Sequence, residues 1–132
     1  LRLSRGLGDV YKRQPHGYRF EHPSGASFVH SGDSGPCETL YEAIGRSKFA
    51  ILEMGFPDWV PSTHHHKPMD VRALSEQCST PLGITHTYID DASPHPTVLE
   101  SVFPEFAGHV THLKDQTEIA WNGTDWVVAF SE

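Results

Sequence analysis

The chain has 132 residues, of which 37% are hydrophobic, enough for one domain with a hydrophobic core. Its formal net charge of −7 argues against a nucleic-acid groove built on Lys and Arg, and no apolar run approaches the roughly 18–20 residues of a membrane span. Cys37 and Cys78 are too few for a disulfide scaffold. We therefore expect a cytoplasmic protein that does not bind a membrane, with both cysteines packed on apolar helix faces.

The first fourteen residues, LRLSRGLGDVYKRQ, contain four of the ten basic residues and no histidine. They have no amphipathic period and no apolar segment of a signal peptide. The string resembles a translated sequencing adapter, which predicts that residues 1–14 are non-native; a short basic arm is the alternative. Residues 15–132 then form a partial domain, truncated at its N-terminus, with 6 basic and 16 acidic residues and a net charge of −10.

Hydrophobic periodicity predicts a mixed α/β domain. Strands are expected at residues 18–22, 26–30, 49–54, 82–85, 109–113, 117–121 and 126–130. Helices are expected from Pro36 to the residue before Gly45, over 69–78 and over 97–103. The run 49–54 is typical of a strand covered on both faces, residues 55–68 and 90–96 are predicted loops, and the chain from residue 109 onward is predicted to form hairpins. With no GxGxxG or P-loop pattern, this is not a doubly wound nucleotide-binding fold.

The last hairpin is predicted to turn at Asn122-Gly123, with Trp121 and Trp126 as a cross-strand pair. Asn122-Gly123-Thr124 also matches a glycan acceptor motif, although turn chemistry explains the dipeptide better.

Three polar groups lie within or directly beyond predicted strands, near the strand ends where sites collect in α/β sheets. Asp33 lies in a glycine-flanked loop, and its alternative role is to cap the helix at Pro36. His86 follows a buried strand and has the alternative role of a structural histidine. Glu53 lies inside an apolar strand and needs a partner.

A partner for Glu53 is expected from the histidine run His64, His65 and His66 in the following loop. Such a carboxylate–histidine pair would position a proton shuttle. The alternative is an exposed loop with a chance run of histidines.

Together SGDSGP (31–36), LEMGF (52–56), a His-bearing loop and ITHTY (84–88) resemble the C-terminal half of the metallo-β-lactamase superfamily. The nearest branches are the ribonuclease Z-like and class II cyclic-nucleotide phosphodiesterase-like proteins. The resemblance spans about residues 18–126. It implies the C-terminal half of an αββα sandwich, a mixed sheet with flanking helices.

Carried over by residue, the resemblance implies that Asp33 bridges two divalent metal ions and that His86 is a terminal ligand. Zinc is the first expectation, with manganese or iron as alternatives. One of His64, His65 and His66 would handle a proton on the leaving group, with His66 favoured because it stands closest to the helix. Glu53 would orient that histidine. Tyr88 would contact substrate or serve in packing.

The family's main metal-binding motif, HxHxDH, does not occur in this chain. The resemblance therefore implies that the intact protein is a metallohydrolase, acting on a phosphodiester or related ester through a metal-bound hydroxide, and that this fragment alone is inactive. A small-molecule or nucleotide-like substrate is expected, while nucleic acid and a homodimer remain open. The alternative is a non-catalytic α/β binding module whose His-rich loop buffers metal.

Overall fold

The computed structural model describes residues 17–88 and 105–129, and the backbone of residues 2–4. The elements are, in chain order, β1 (Arg2–Ser4), β2 (Tyr18–Glu21), β3 (Ser27–His30), α1 (Glu38–Gly45), β4 (Ala50–Glu53), α2 (Pro68–Gln77), β5 (Leu82–Thr85), β6 (Val110–His112), β7 (Glu118–Trp121) and β8 (Trp126–Ala129). The predicted loop 90–96 and helix 97–103 lie outside the described residues. No helix in the described ranges is both long enough and apolar enough to cross a membrane.

Six strands form one mixed sheet in the order β1-β2-β3-β4-β5-β6. The pairs β1–β2 and β2–β3 are antiparallel. The turn Pro23-Ser24-Gly25, with Gly25 at φ +95°, reverses the chain between β2 and β3. The pairs β3–β4, β4–β5 and β5–β6 are parallel. Helices α1 and α2 provide the first two of these parallel crossovers. The mixed α/β class predicted from periodicity is therefore confirmed.

Two details of the predicted sheet differ. The sequence pattern predicts that the strand at 109–113 belongs to a hairpin, but β6 joins the main sheet in parallel beside β5. That prediction is wrong because a three-residue strand shows no direction in its pattern. At the other edge, β1 pairs with β2. This pairing does not test the origin of residues 1–14, so the predicted boundary at residue 15 stays a prediction.

The core lies between the two helices and the helix-facing side of β3, β4 and β5. Strand residues two apart share a face, so Leu52 and Ile84 are buried with Ala50 and Leu82. The core cluster comprises Val29, Leu40, Ala43, Ile44, Ala50, Leu52, Met54, Val71, Leu74, Leu82 and Ile84. Cys37 and Cys78 form no disulfide bond and pack against this cluster, as predicted. Ile51 is only half-buried, so the described residues cover the second face of β4 incompletely.

Helix α1 begins two residues later than predicted. Pro36 lies outside the helix, and Cys37 is the N-terminal boundary residue, with an extended φ of −153° and no capping hydrogen bond from its side chain. Asp33 does not cap this helix, so that alternative is wrong. The proline at the start of a helix is instead Pro68 in α2, where the missing N–H costs no helical hydrogen bond.

Strands β7 and β8 form a separate hairpin that Trp126 attaches to the main sheet. Its indole Nε1–H donates to the Ser27 carbonyl at 2.9 Å, and its ring meets Phe28 edge-on at 5.7 Å between centroids. The predicted cross-strand pair of Trp121 and Trp126 is confirmed, with centroids 5.4 Å apart. The turn between them has four residues, and the Asn122 carboxamide oxygen accepts two of its backbone N–H groups.

We expect Trp126→Phe to lower the free energy of unfolding by about 1 kcal/mol, the usual contribution of one hydrogen bond. The loss stays small because the Ser27 carbonyl also accepts the N–H of Lys48 at 3.3 Å. Urea denaturation measures the change. Val127→Ala, at a half-exposed position on the same strand, is the control and should shift stability by less than about 0.5 kcal/mol. Equal losses in the two variants would contradict the proposed attachment.

Candidate active site at the carboxyl edge of the sheet

Three polar residues meet at the carboxyl ends of neighbouring parallel strands. Asp33 lies three residues beyond β3, Glu53 is the last residue of β4, and His86 directly follows β5. Since β3, β4 and β5 are adjacent and parallel, their carboxyl ends form one edge of the sheet, where ligands bind in α/β folds. This topology explains how residues far apart in sequence come together.

Asp33 and His86 contact each other. The Asp33 Oδ1 atom lies 3.4 Å from His86 Nδ1, and the side chains are 57% and 70% exposed, respectively. The approach of these two side chains, expected from sequence, is confirmed. Within the described ranges no third His, Cys, Asp or Glu joins them to complete a metal-binding group. Their assignment as metal ligands stays a prediction.

The backbone of His86 is in the left-handed region, with φ +49°. A non-glycine residue in this region costs roughly 1–2 kcal/mol, although histidine is among the residues found there more often than most. The conformation ends β5 abruptly after Thr85, and the His86 imidazole lies against Asp33. Such strain is found where the surrounding structure fixes a functional group.

Glu53 is a buried carboxylate whose hydrogen-bond donors come from the loop that follows it. Only 3% of the side chain is exposed. The Gly55 N–H donates to Oε2 at 2.7 Å, while the His66 backbone N–H at 3.0 Å and His65 Nδ1–H at 3.2 Å donate to Oε1. Burial raises the pKa of the Glu53 carboxyl group, and the donated hydrogen bonds oppose that rise. The predicted pairing of Glu53 with a loop histidine is confirmed.

The three consecutive histidines occupy three different environments. His64 is exposed. His65 is bonded to Glu53 and meets the Phe56 ring edge-on, with centroids 4.6 Å apart. His66 is fully buried, with Nδ1 2.6 Å from the Ser34 carbonyl and Nε2 3.1 Å from the Tyr41 hydroxyl. The histidine favoured from sequence, His66, thus touches Glu53 through its backbone, and the imidazole beside the carboxylate belongs to His65. Which of the three acts in catalysis stays a prediction.

Gly55 lies close to residues of both polar pairs. A methyl group built on Gly55 would lie 2.9 Å from Glu53 Oε2, 3.5 Å from His65 Nδ1 and 3.8 Å from the His86 carbonyl oxygen. The Glu53–His65 pair therefore lies close to the backbone of His86, which forms the second pair with Asp33. A side chain at position 55 would crowd the Glu53 carboxylate, so glycine fits this position best.

Sequence reasoning gave no role in this region to Ser34, Tyr41 or Gly55, although Ser34 and Gly55 lie within the motifs SGDSGP and LEMGF. Tyr41 falls on the apolar face of α1 in the sequence pattern. That pattern therefore gave no sign that its hydroxyl group bonds to His66. The glycine after Met54 was the one available signal of close packing. Tyr88 packs against the core, in agreement with the packing role that sequence left open for it.

Burial makes His66 a source of pH-dependent stability. Burial lowers the pKa of the His66 imidazole from 6.5 to about 4. A histidine whose pKa is depressed in the folded state stabilises it above the unfolded-state pKa. We therefore expect about 3 kcal/mol to be lost as the pH falls from about 6.5 to 4. The raised pKa of Glu53 acts in the opposite sense, since it favours folding when that group is protonated.

Urea denaturation over this pH range, for the wild type and His66→Asn, measures the His66 contribution as a difference. The variant should lack this segment of the pH dependence. Parallel stability–pH curves for the two proteins would show that His66 does not cause it.

Comparisons with known proteins identify the fold. No protein-family profile matches the chain. An uncharacterized protein of Mycobacterium leprae (strain TN), ML1173, is 31% identical over 104 residues, which are 76% of this chain and 36% of that protein. The chain thus spans about a third of the relative's length.

Among solved structures, the metallo-β-lactamase fold protein YhfI from Bacillus subtilis aligns with a TM-score of 0.52 and 16% identity. The alignment covers 75% of this chain and 38% of YhfI. The short form of human tRNase Z (ELAC1) aligns with a TM-score of 0.45 and 18% identity, over 55% of this chain and 31% of the enzyme. The second similarity is too weak to assign a branch of the superfamily. The mixed sheet, its two helices and the YhfI alignment show that this chain has part of the metallo-β-lactamase fold.

Proposed function

We propose that the protein containing this chain is a metal-dependent hydrolase acting on a phosphodiester or related ester, of the ribonuclease Z-like or class II cyclic-nucleotide phosphodiesterase-like kind. The observation that carries the proposal is the contact between Asp33 and His86 beside the Glu53–His65 pair. This places an exposed carboxylate and imidazole next to a carboxylate-oriented histidine at a sheet edge suited to ligand binding. The fold shared with YhfI supports it.

The donors of Asp33 and His86 fit a divalent metal ion in type and spacing. Two donors each about 2.1 Å from a tetrahedral zinc ion lie roughly 3.4 Å apart, and the observed separation is 3.4 Å. Zinc sites use three or four protein ligands, so two are too few. We propose that the other ligands lie in parts of the protein outside this chain, which spans 36% of its Mycobacterium leprae relative. Manganese and iron remain alternatives to zinc.

Metal ions bound there would supply an activated water nucleophile and neutralise negative charge that develops on the ester. Asp33 would be the bridging ligand and His86 a terminal ligand. Because both side chains are more than half exposed, a substrate can reach them without a rearrangement of the core. The net charge of −10 on residues 15–132 favours a small nucleotide-like substrate over a large nucleic acid.

His65 is the histidine that the geometry favours for proton transfer. The Glu53 carboxylate accepts its Nδ1–H, which fixes the neutral tautomer and leaves Nε2 as the atom that exchanges a proton with the leaving group. His66 has both ring nitrogens hydrogen-bonded inside the protein. The Glu53–His65 pair therefore takes the role that the sequence resemblance gave to one of the three histidines.

The alternative function, a non-catalytic module with a metal-buffering loop, has less support. The side chains of His64, His65 and His66 are exposed, bonded to Glu53 and buried, respectively. They do not converge on one point, as a chelating loop would require.

We expect Asp33→Asn and His86→Ala each to reduce hydrolysis of bis(p-nitrophenyl) phosphate by the full-length zinc-loaded protein at least about 100-fold. Loss of a ligand should exceed the roughly 10–100-fold cost of losing a partner of a ligand. His22→Ala, an exposed residue at the opposite end of the sheet, is the control. Isothermal titration of zinc into the isolated 132-residue chain should show weak binding. Sub-micromolar binding to that chain, abolished by Asp33→Ala, would contradict the two-ligand assignment.

We expect His65→Ala to lower kcat by roughly 10²–10⁴-fold, the usual contribution of general acid–base catalysis, while His64→Ala leaves it within about threefold of the wild-type value. Steady-state kinetics at several pH values measure both variants, with zinc content as a check on metal loading. A loss of kcat in His64→Ala that equals the loss in His65→Ala would remove the role assigned to the Glu53–His65 pair.

A further inference from the structure

The buried imidazole of His66 joins segments that carry different parts of the candidate site. Its Nδ1 atom lies 2.6 Å from the carbonyl oxygen of Ser34, which directly follows Asp33. Its backbone N–H donates to Glu53 Oε1 at 3.0 Å, and the next residue toward the N-terminus is His65. One residue is thus bonded to the Asp33 loop through its ring and to the Glu53 carboxylate through its backbone.

The partners of His66 determine which tautomer it adopts. A backbone carbonyl can only accept a hydrogen bond, so Nδ1 carries the proton that is donated to Ser34. The unprotonated Nε2 then accepts a hydrogen bond from the Tyr41 hydroxyl group, with the oxygen and nitrogen atoms 3.1 Å apart. Burial favours the neutral form of both groups, since it raises the pKa of Tyr41 and lowers that of His66. The ring is therefore held as a neutral Nδ1–H donor.

The two loops joined by His66 are also packed tightly against each other. A methyl group on Gly35 would overlap the carbonyl group of Thr63, so the backbones meet with no room for a side chain. Ser34 and His66 are both fully buried. At such a contact a misplaced donor cannot be replaced by water, and the loops can adopt few relative positions.

We propose that His66 is a positioning residue that holds the Asp33 loop in register with the Glu53–His65 pair, by donating its Nδ1–H to the Ser34 carbonyl. It acts through the loops and does not contact substrate, because its side chain is fully buried and both ring nitrogens have partners. The effect on catalysis rests on the proposed function, whereas the hydrogen bond and its effect on the Asp33 loop do not.

Two amide substitutions in the full-length protein separate the two sides of the imidazole ring. In His66→Asn the amide nitrogen is as many bonds from Cα as Nδ1 is, so it can still donate to Ser34. In His66→Gln the amide nitrogen is as far along the side chain as Nε2, so that donor is lost. The readouts are kcat and KM, the free energy of unfolding, and the backbone amide NMR shifts of Asp33 and Gly35. Tyr41→Phe removes the hydroxyl from the other side of the ring.

We expect His66→Gln to lower kcat roughly 10–100-fold with little change in KM, and to shift the amide resonances of Asp33 and Gly35. His66→Asn should keep kcat within about threefold of the wild-type value and leave those resonances near their wild-type positions. Tyr41→Phe should also stay within about threefold. Equal losses of kcat in folded His66→Asn and His66→Gln, or no loss in either, would overturn the positioning role.

If both His66 variants fail to fold, the ring ¹⁵N shifts of the wild type decide the matter. They must show a proton on Nδ1 and no titration between pH 5 and 8, and a proton on Nε2 would refute the proposal. A wild-type protein that folds and binds zinc but hydrolyses no ester would refute the proposed function instead. In that case the Asp33 and Gly35 resonances in the amide pair still confirm or refute the hydrogen bond to Ser34.

Discussion

Burial of the Glu53 carboxylate imposes a constraint on which the arrangement of the site depends. A buried carboxylate without donors would cost several kcal/mol, and within the described part of the chain the donors to Glu53 all come from residues 55–66. The long loop after β4 is therefore folded back onto the end of its own strand. This loop conformation places His65 beside the carboxylate and buries the imidazole of His66 against the Asp33 loop.

The remaining geometry follows from the direction of the strands. Three neighbouring parallel strands deliver Asp33, Glu53 and His86 to one edge, and the core beneath them is apolar and shared with both helices. The edge itself is formed by loops whose polar groups bond to one another. A rigid sheet beneath interlocked loops is the arrangement by which proteins hold reactive groups in fixed positions.

Much of this arrangement could be predicted from local patterns. The strand 82–85 coincides with β5, and the rule that sites lie beyond strand ends correctly brought Asp33 to His86. Which of the three adjacent histidines places its imidazole beside Glu53 could not be predicted in the same way, since their burial depends on where the loop returns. The parallel pairing of β6 was missed for a similar reason, because a three-residue strand takes its direction from the sheet that it joins. Asp33 was also open to a capping role until the helix start was known.

The alternation of side chains along β4 limits how the chain length can vary during evolution. Leu52 is in the core and Glu53 ends the strand at the polar edge. Because strand side chains alternate between faces, inserting one residue within β4 would exchange the two environments and put a carboxylate among aliphatic side chains. Insertions are tolerated more readily at turns such as Pro23-Ser24-Gly25, at the other end of the sheet. We expect natural length differences among homologues to be concentrated there.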